Sequence, residues 1–183
     1  MDMRTCLKLL CYIIIGVTVL GCTSDDNSTE PFEPIGIENA DKIKLLMNNR
    51  SFRQFSPGVD ASPRKGVVIS FFSREDSKLS LWAQFAEGNV AVSEWEIKAT
   101  DYEVSKDRDS EVYKFEFKGI TTERILPDKC VDCIAVDTIS LLVQNPFDAE
   151  QMLFRIETNA DLPSPYPIFT SWTKFSEDLI LSN

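Results

Sequence analysis

The chain has 183 residues, 43% of them hydrophobic, with 19 basic and 29 acidic side chains and a net charge of −10. That acidity excludes a nucleic-acid partner, because phosphate binding needs a basic face, and it excludes docking of the folded body on anionic lipid. Histidine is absent, so Ser-His triads and His-ligated zinc or copper are excluded and carboxylates remain as the acid–base groups.

The first element is an export leader. Arg4 and Lys8 form a short positive start, and Leu9 to Leu20 is an apolar run too short to remain as a spanning helix, which needs roughly 20 apolar residues. It ends in Val19-Leu20-Gly21-Cys22. These residues resemble the bacterial lipobox, in which cleavage precedes a cysteine whose sulfur carries a diacylglycerol; Leu20 is bulkier than the residue usual there. The resemblance implies lipidation of Cys22 and retention on a membrane, since two or more acyl chains hold a protein stably. The alternative is an uncleaved anchor or an ordinary signal with a chance cysteine. Thr23 to Glu30 is polar and acidic and reads as a flexible tether. It is also similar to the acidic export signal of surface lipoproteins in Bacteroidota, which implies an outer-membrane, surface-facing address. The body of the chain resembles lipoproteins of that phylum without bringing a function with it.

The organisation expected is therefore a leader over residues 1–21, a lipidated cysteine and tether over 22–36, and one β-rich domain over 37–183. Loss of Asp2, Arg4 and Lys8 with the leader, one acid and two bases, would take the net charge from −10 to −11. About 160 residues remain, enough for one domain that buries roughly 70% of its unfolded surface.

Pro31 to Pro34 reads as further tether. Asn39 is a plausible N-cap for a short helix over Ala40 to Asn48, with Ile43, Leu46 and Met47 on one face. From Ser51 the period becomes two. Strands are expected at Ser51 to Phe55, Gly66 to Ser73, Lys78 to Ala86 and Val90 to Ala99, with turns at Pro57-Gly58, Arg74 to Ser77 and Gly88-Asn89, and a loop at Val59 to Lys65. The third of these strands alternates cleanly: Leu79, Leu81, Ala83 and Phe85 face inward, while Ser80, Trp82 and Gln84 face outward. In the fourth, alternation slips near Ser93, the mark of a bulge. Tyr102 to Val104 extends or restarts it. Glu111 to Lys118 is strongly amphipathic, and Ile120 to Leu126 is a further candidate. Thr138 to Gln144 and Met152 to Thr158 read as two strands. Pro163, Pro165 and Pro167 predict an extended segment, and Ile168 to Phe175 with Asp178 to Leu181 would close the sheet. Many short strands predict an all-β fold, an antiparallel sandwich or alternatively a barrel, with one short helix. The irregular loops at Val59 to Lys65 and Pro127 to Asp137 favour the sandwich.

Candidate chemistry is sparse. Cys6 and Cys11 leave with the leader, and Cys130 and Cys133 are left as a pair in an oxidising compartment. Their spacing is that of a redox dithiol, but loop and strand flank them instead of a helix N-terminus, which predicts a structural disulfide. Two thiols are too few for zinc. Asp107-Arg108-Asp109-Ser110-Glu111 alternates carboxylates as calcium loops do, yet Val112 and Lys118 stand where such a loop needs Gly and Glu, so a hairpin turn is expected. Trp82, on a polar strand face, could stack on a sugar ring or fill a partner's pocket; Trp172 is a second such candidate, and Trp95 reads as core. Asp137-Thr138-Ile139 resembles the short O-glycosylation motif of Bacteroidota, which requires an exposed Thr138. No metal, cofactor or catalytic residue is expected. The resulting reading is a non-enzymatic, lipid-anchored envelope protein that binds a glycan or a protein. An assembly subunit making contact through the proline segment, and a carboxylate-based glycan-active enzyme, are the rivals.

Overall fold

The computed structural model describes residues 32–56, 64–72 and 77–178. Cys22 and the leader, the turn at Pro57-Gly58, most of the loop that follows it, most of the Arg74 to Ser77 turn and the end of the last expected strand lie outside the described residues. One compact unit begins at Pro31. Its strands are β1 (Phe32–Pro34), β2 (Ser51–Ser56), β3 (Arg64–Ser70), β4 (Leu79–Glu87), β5 (Val90–Asp107), β6 (Val112–Leu126), β7 (Cys130–Val131), β8 (Ile139–Gln144), β9 (Leu153–Thr158), β10 (Thr173–Lys174) and β11 (Ser176–Asp178). Helix α1 spans Ile37–Met47, and a 3-10 turn spans Tyr166–Phe169.

The fold is all-β and antiparallel, as the alternation predicts. The ladders form one sheet in the order β10-β9-β8-β6-β5-β4-β3-β2-β11. Its two ends are β10 and β11, which are consecutive in the chain and separated by Phe175 alone. One interrupted strand thus pairs β9 with its first half and β2 with its second, so the sheet is nearly closed and barrel-like. The all-β, antiparallel class expected as a sandwich or a barrel is thus present, in a form whose single sheet is barrel-like in its pairing. The long loops that argued against a barrel leave the up-and-down order intact, because from β2 to β10 neighbours in this order are neighbours in the chain, with only the short β7 inserted between β6 and β8.

The interior is filled by side chains, as expected of a barrel with so few strands. Phe71 meets Phe115 at 5.4 Å and Phe52 meets Phe154 at 4.8 Å between ring centroids. Ile43 and Met47 of α1 join this core, as the helical period predicts. The helix begins at Ile37, three residues before the expected start, with Gly36 as its N-cap and no side-chain cap, so Asn39 lies inside its first turn.

Three expectations need correction. Residues 32–34, read as tether, form edge strand β1 against Ser105 to Asp107; the Phe32 ring has Lys114 at 5.8 Å and Glu33 pairs with Arg108. Ile120 to Leu126, read as a separate strand, continues β6 through Gly119, whereas Tyr102 to Val104 does extend β5, to 18 residues. The segment from Pro163 onward is not extended: the Tyr166 N–H donates to the Pro163 carbonyl, and Tyr166 and Phe169 are fully buried. Residues 168–175, read as a strand, supply the end of that 3-10 turn and only the two residues of β10.

Candidate functional site

The outer face of β3 to β6 carries a cleft of about 350 Å³. Among the described residues its lining comes from Val68, Ser70 and Phe72 on and after β3, Ser77 and Ser80, Trp82 on β4, Glu94 and Glu96 on β5, and Ile125 on β6. Strand register creates this grouping. Val68 pairs with Trp82, Trp82 with Glu96, and Glu96 with Glu123, so one row crosses four strands. The side chains in that row share a face because directly paired residues on antiparallel strands project to the same side.

One bulge sets the row and a second adds a residue to the cleft wall. Between β4 and β5 the register shifts after Phe85, leaving Val92 without a partner beside the slip expected at Ser93. Without that extra residue, the pairing Glu87 to Val90 would place Trp82 opposite Trp95. With it, Trp82 faces Glu96. Between β5 and β6 a second shift leaves Ile125 unpaired, and its side chain lines the cleft.

The polar groups are tied together. Half-buried Trp82 donates its Nε1 proton to Glu94 Oε1 at 2.8 Å, and Gln84 Nε2 donates to Glu94 Oε2 at 3.5 Å. Ser80 Oγ donates to Glu96 Oε1 at 2.6 Å. Lys98 Nζ lies 3.5 Å from Glu96 and 3.7 Å from Glu123, and Lys129 Nζ lies 2.7 Å from Glu123. The hydrogen bond from Lys129 holds the Glu123 carboxyl below its ordinary value. The cleft thus combines an indole, a phenyl ring, hydroxyls and two carboxylates whose geometry is pinned by neighbours.

Trp172, the other aromatic candidate, is not part of it. Trp172 stacks on Arg155 of β9, with the guanidinium 4.9 Å from the ring centroid. Strands β4 and β9 lie four steps apart in either direction round the sheet, so the two tryptophans are on opposite sides. Trp95 packs partly buried against the core and donates to Ser93 Oγ at 3.0 Å.

Cys130 and Cys133 form a disulfide. It closes the tight loop at β7, and backbone pairing holds that strand on the end of β6, Cys130 against Arg124 and Val131 against Glu123. Asp132 between them takes a positive φ of 54° and donates its N–H to the Thr122 carbonyl. The acidic run after β5 is a hairpin turn: Asp107 Oδ1 accepts from the Asp109 N–H and the Ser110 hydroxyl. Thr138 is exposed at the start of β8.

Glu94, Glu96, Ser80 and Ile125 are among the site residues not singled out in the sequence. Alternation puts the first three on polar strand faces, but only the bulged register shows that those faces meet. No known protein family, curated protein or solved structure matches this chain.

Proposed function

We propose that this is a lipid-anchored protein of the cell envelope, held at Cys22, whose barrel-like domain binds a small polar ligand in the Trp82 cleft without transforming it. The single observation that carries the binding is the cleft itself. A half-buried indole beside two carboxylates and several hydroxyls offers a stacking face and fixed polar contacts, the mixture typical of ligand sites. The side-chain-filled interior supports the choice of the outer face, since it leaves the core to packing. The anchor rests on Val19 to Cys22, and a surface-facing, outer-membrane address rests on the acidic run that follows. The proline segment lends the assembly reading little support, because Tyr166 and Phe169 are occupied in the core.

Two measurements test the proposal. Cys22→Ala should release the protein from membranes into the soluble envelope fraction; continued retention refutes the anchor. Pull-down from native envelopes should recover a ligand with the wild type and lose it with Trp82→Ala; equal recovery refutes the cleft. Because Glu94 and Glu96 line one cleft, carboxylate-based glycan hydrolysis is the second reading. Release of reducing ends by the wild type, abolished in both Glu94→Gln and Glu96→Gln, would favour it over binding alone.

A further inference from the structure

Resting on that reading of the cleft, we infer that its ligand is a neutral or amino sugar and that uronic and sulfated sugars are rejected. The inference comes from counting donors and acceptors. Glu94 and Glu96 present four carboxylate oxygens, each able to accept more than one hydrogen bond. Trp82, Gln84 and Ser80 each donate to one of these oxygens, so those three protons are already committed. Lone pairs remain on both carboxylates and on the Ser80 hydroxyl. The Ser70 hydroxyl lies 3.2 Å from the Ser51 hydroxyl, and either of the two can be the donor.

A wall with more spare acceptors than spare donors fits a ligand that supplies donors. Adjacent hydroxyls of a pyranose do so, and an ammonium does so more strongly because its hydrogen bonds are charge-assisted. The apolar face of the same ring lies flat on an indole, which Trp82 supplies. A carboxylate or sulfate brings only acceptors and a like charge beside Glu94 and Glu96, which disfavours it twice over. Lys98 does not reverse this, since it sits between Glu96 and Glu123 at 3.5 and 3.7 Å.

The test is a glycan array followed by calorimetry on the full-length lipidated protein in detergent, using neutral, glucosamine-containing, uronic and sulfated oligosaccharides. The expected result is that the strongest ligands are neutral or amino sugars, binding at least tenfold more tightly than uronates of the same linkage. Trp82→Ala should lower that affinity at least tenfold, whereas Trp82→Phe, which keeps a stacking face, should lower it less and guards against a misfolded variant. The double change Glu94→Gln and Glu96→Gln should narrow the gap to uronates at least fivefold. Uronic or sulfated sugars binding as tightly as neutral ones, with loss in Trp82→Ala, would overturn the ligand class and leave the cleft standing. No sugar responding to Trp82 overturns the inference, and the envelope pull-down then decides separately whether the cleft binds anything.

Discussion

Tyr166 ties the proline-rich segment to the barrel wall. Its side chain is fully buried, and its hydroxyl lies 2.6 Å from the Leu81 carbonyl and 3.2 Å from that of Trp95. Burial pushes its phenol well above the ordinary tyrosine value, so it stays a neutral donor at any ordinary pH. Tyr166→Phe removes the donor and leaves two inward carbonyls short of one hydrogen bond. The expected loss is about 1–3 kcal/mol, read as a lower denaturant midpoint at unchanged slope. Nothing in the local sequence reveals this role. Pro163, Pro165 and Pro167 exclude a central strand, which is correct, but they do not say where the intervening apolar rings go. The contact that decides it lies 85 residues upstream. Trp82 is the opposite case: its outward position follows from alternation within β4 alone. Gly66 is legible only in hindsight. The Phe55 ring covers it so closely that an added Cβ would lie 2.2 Å from Phe55 Cε1, so the glycine makes room for an aromatic on the neighbouring strand.

At the scale of the element, β6 shows how a local signal can divide what tertiary pairing joins. Gly119 reads as a break because glycine interrupts strands. In the fold it takes a φ of +59°, with the Thr100 hydroxyl where a Cβ would sit, and pairing with β5 resumes on both sides. The strand runs through the glycine instead of stopping. The bulge near Ser93 was legible because alternation slips within β5 itself. The bulge at Ile125 was not, since a single residue added to a short apolar stretch leaves no periodic trace. The far end of β6 depends on the disulfide hairpin. Breaking the Cys130–Cys133 bond, as in a Cys130→Ser and Cys133→Ser pair, frees a small loop in the unfolded chain and should cost about 2 kcal/mol. The loss should be local: amide exchange should rise at Glu123 and Arg124, the partners of β7, before it rises in β3 and β4. The native thiols should also resist alkylation until reduced, and ready labelling without reductant would contradict the bond.

For the whole molecule the critical feature is closure. Seven strands follow one another up and down, and the sheet becomes nearly continuous only because β10 and β11 leave Phe175 in opposite directions along its two edges. Phe175 anchors that junction, packing on Phe154 at 5.4 Å and Phe169 at 5.3 Å. Neither short strand has the length or alternation to be placed from sequence, which is why closure by the C-terminal segment was legible and its division into β10 and β11 around Phe175 was not. Beyond Phe175 the seam is clamped by charge. Arg50, between α1 and β2, donates from Nε to Glu177 Oε1 at 2.7 Å and from its terminal nitrogen to Oε2 at 2.9 Å. Such a two-pronged contact is stronger than a single exposed ion pair. The hydrogen bond from Arg50 holds the Glu177 carboxyl below its ordinary value of 4.5. A carboxyl whose folded value is depressed contributes stability that is complete above the unfolded value and disappears as pH falls through the folded one. Melting temperature should therefore drop between pH 5 and the acid range by more in the wild type than in Glu177→Gln. The two proteins should differ most at neutral pH and converge once both carry a neutral side chain at 177. Parallel pH profiles would mean that Glu177 titrates alike in both states, and that the seam is held by Phe175 and the β11 ladder to β2 without help from this pair.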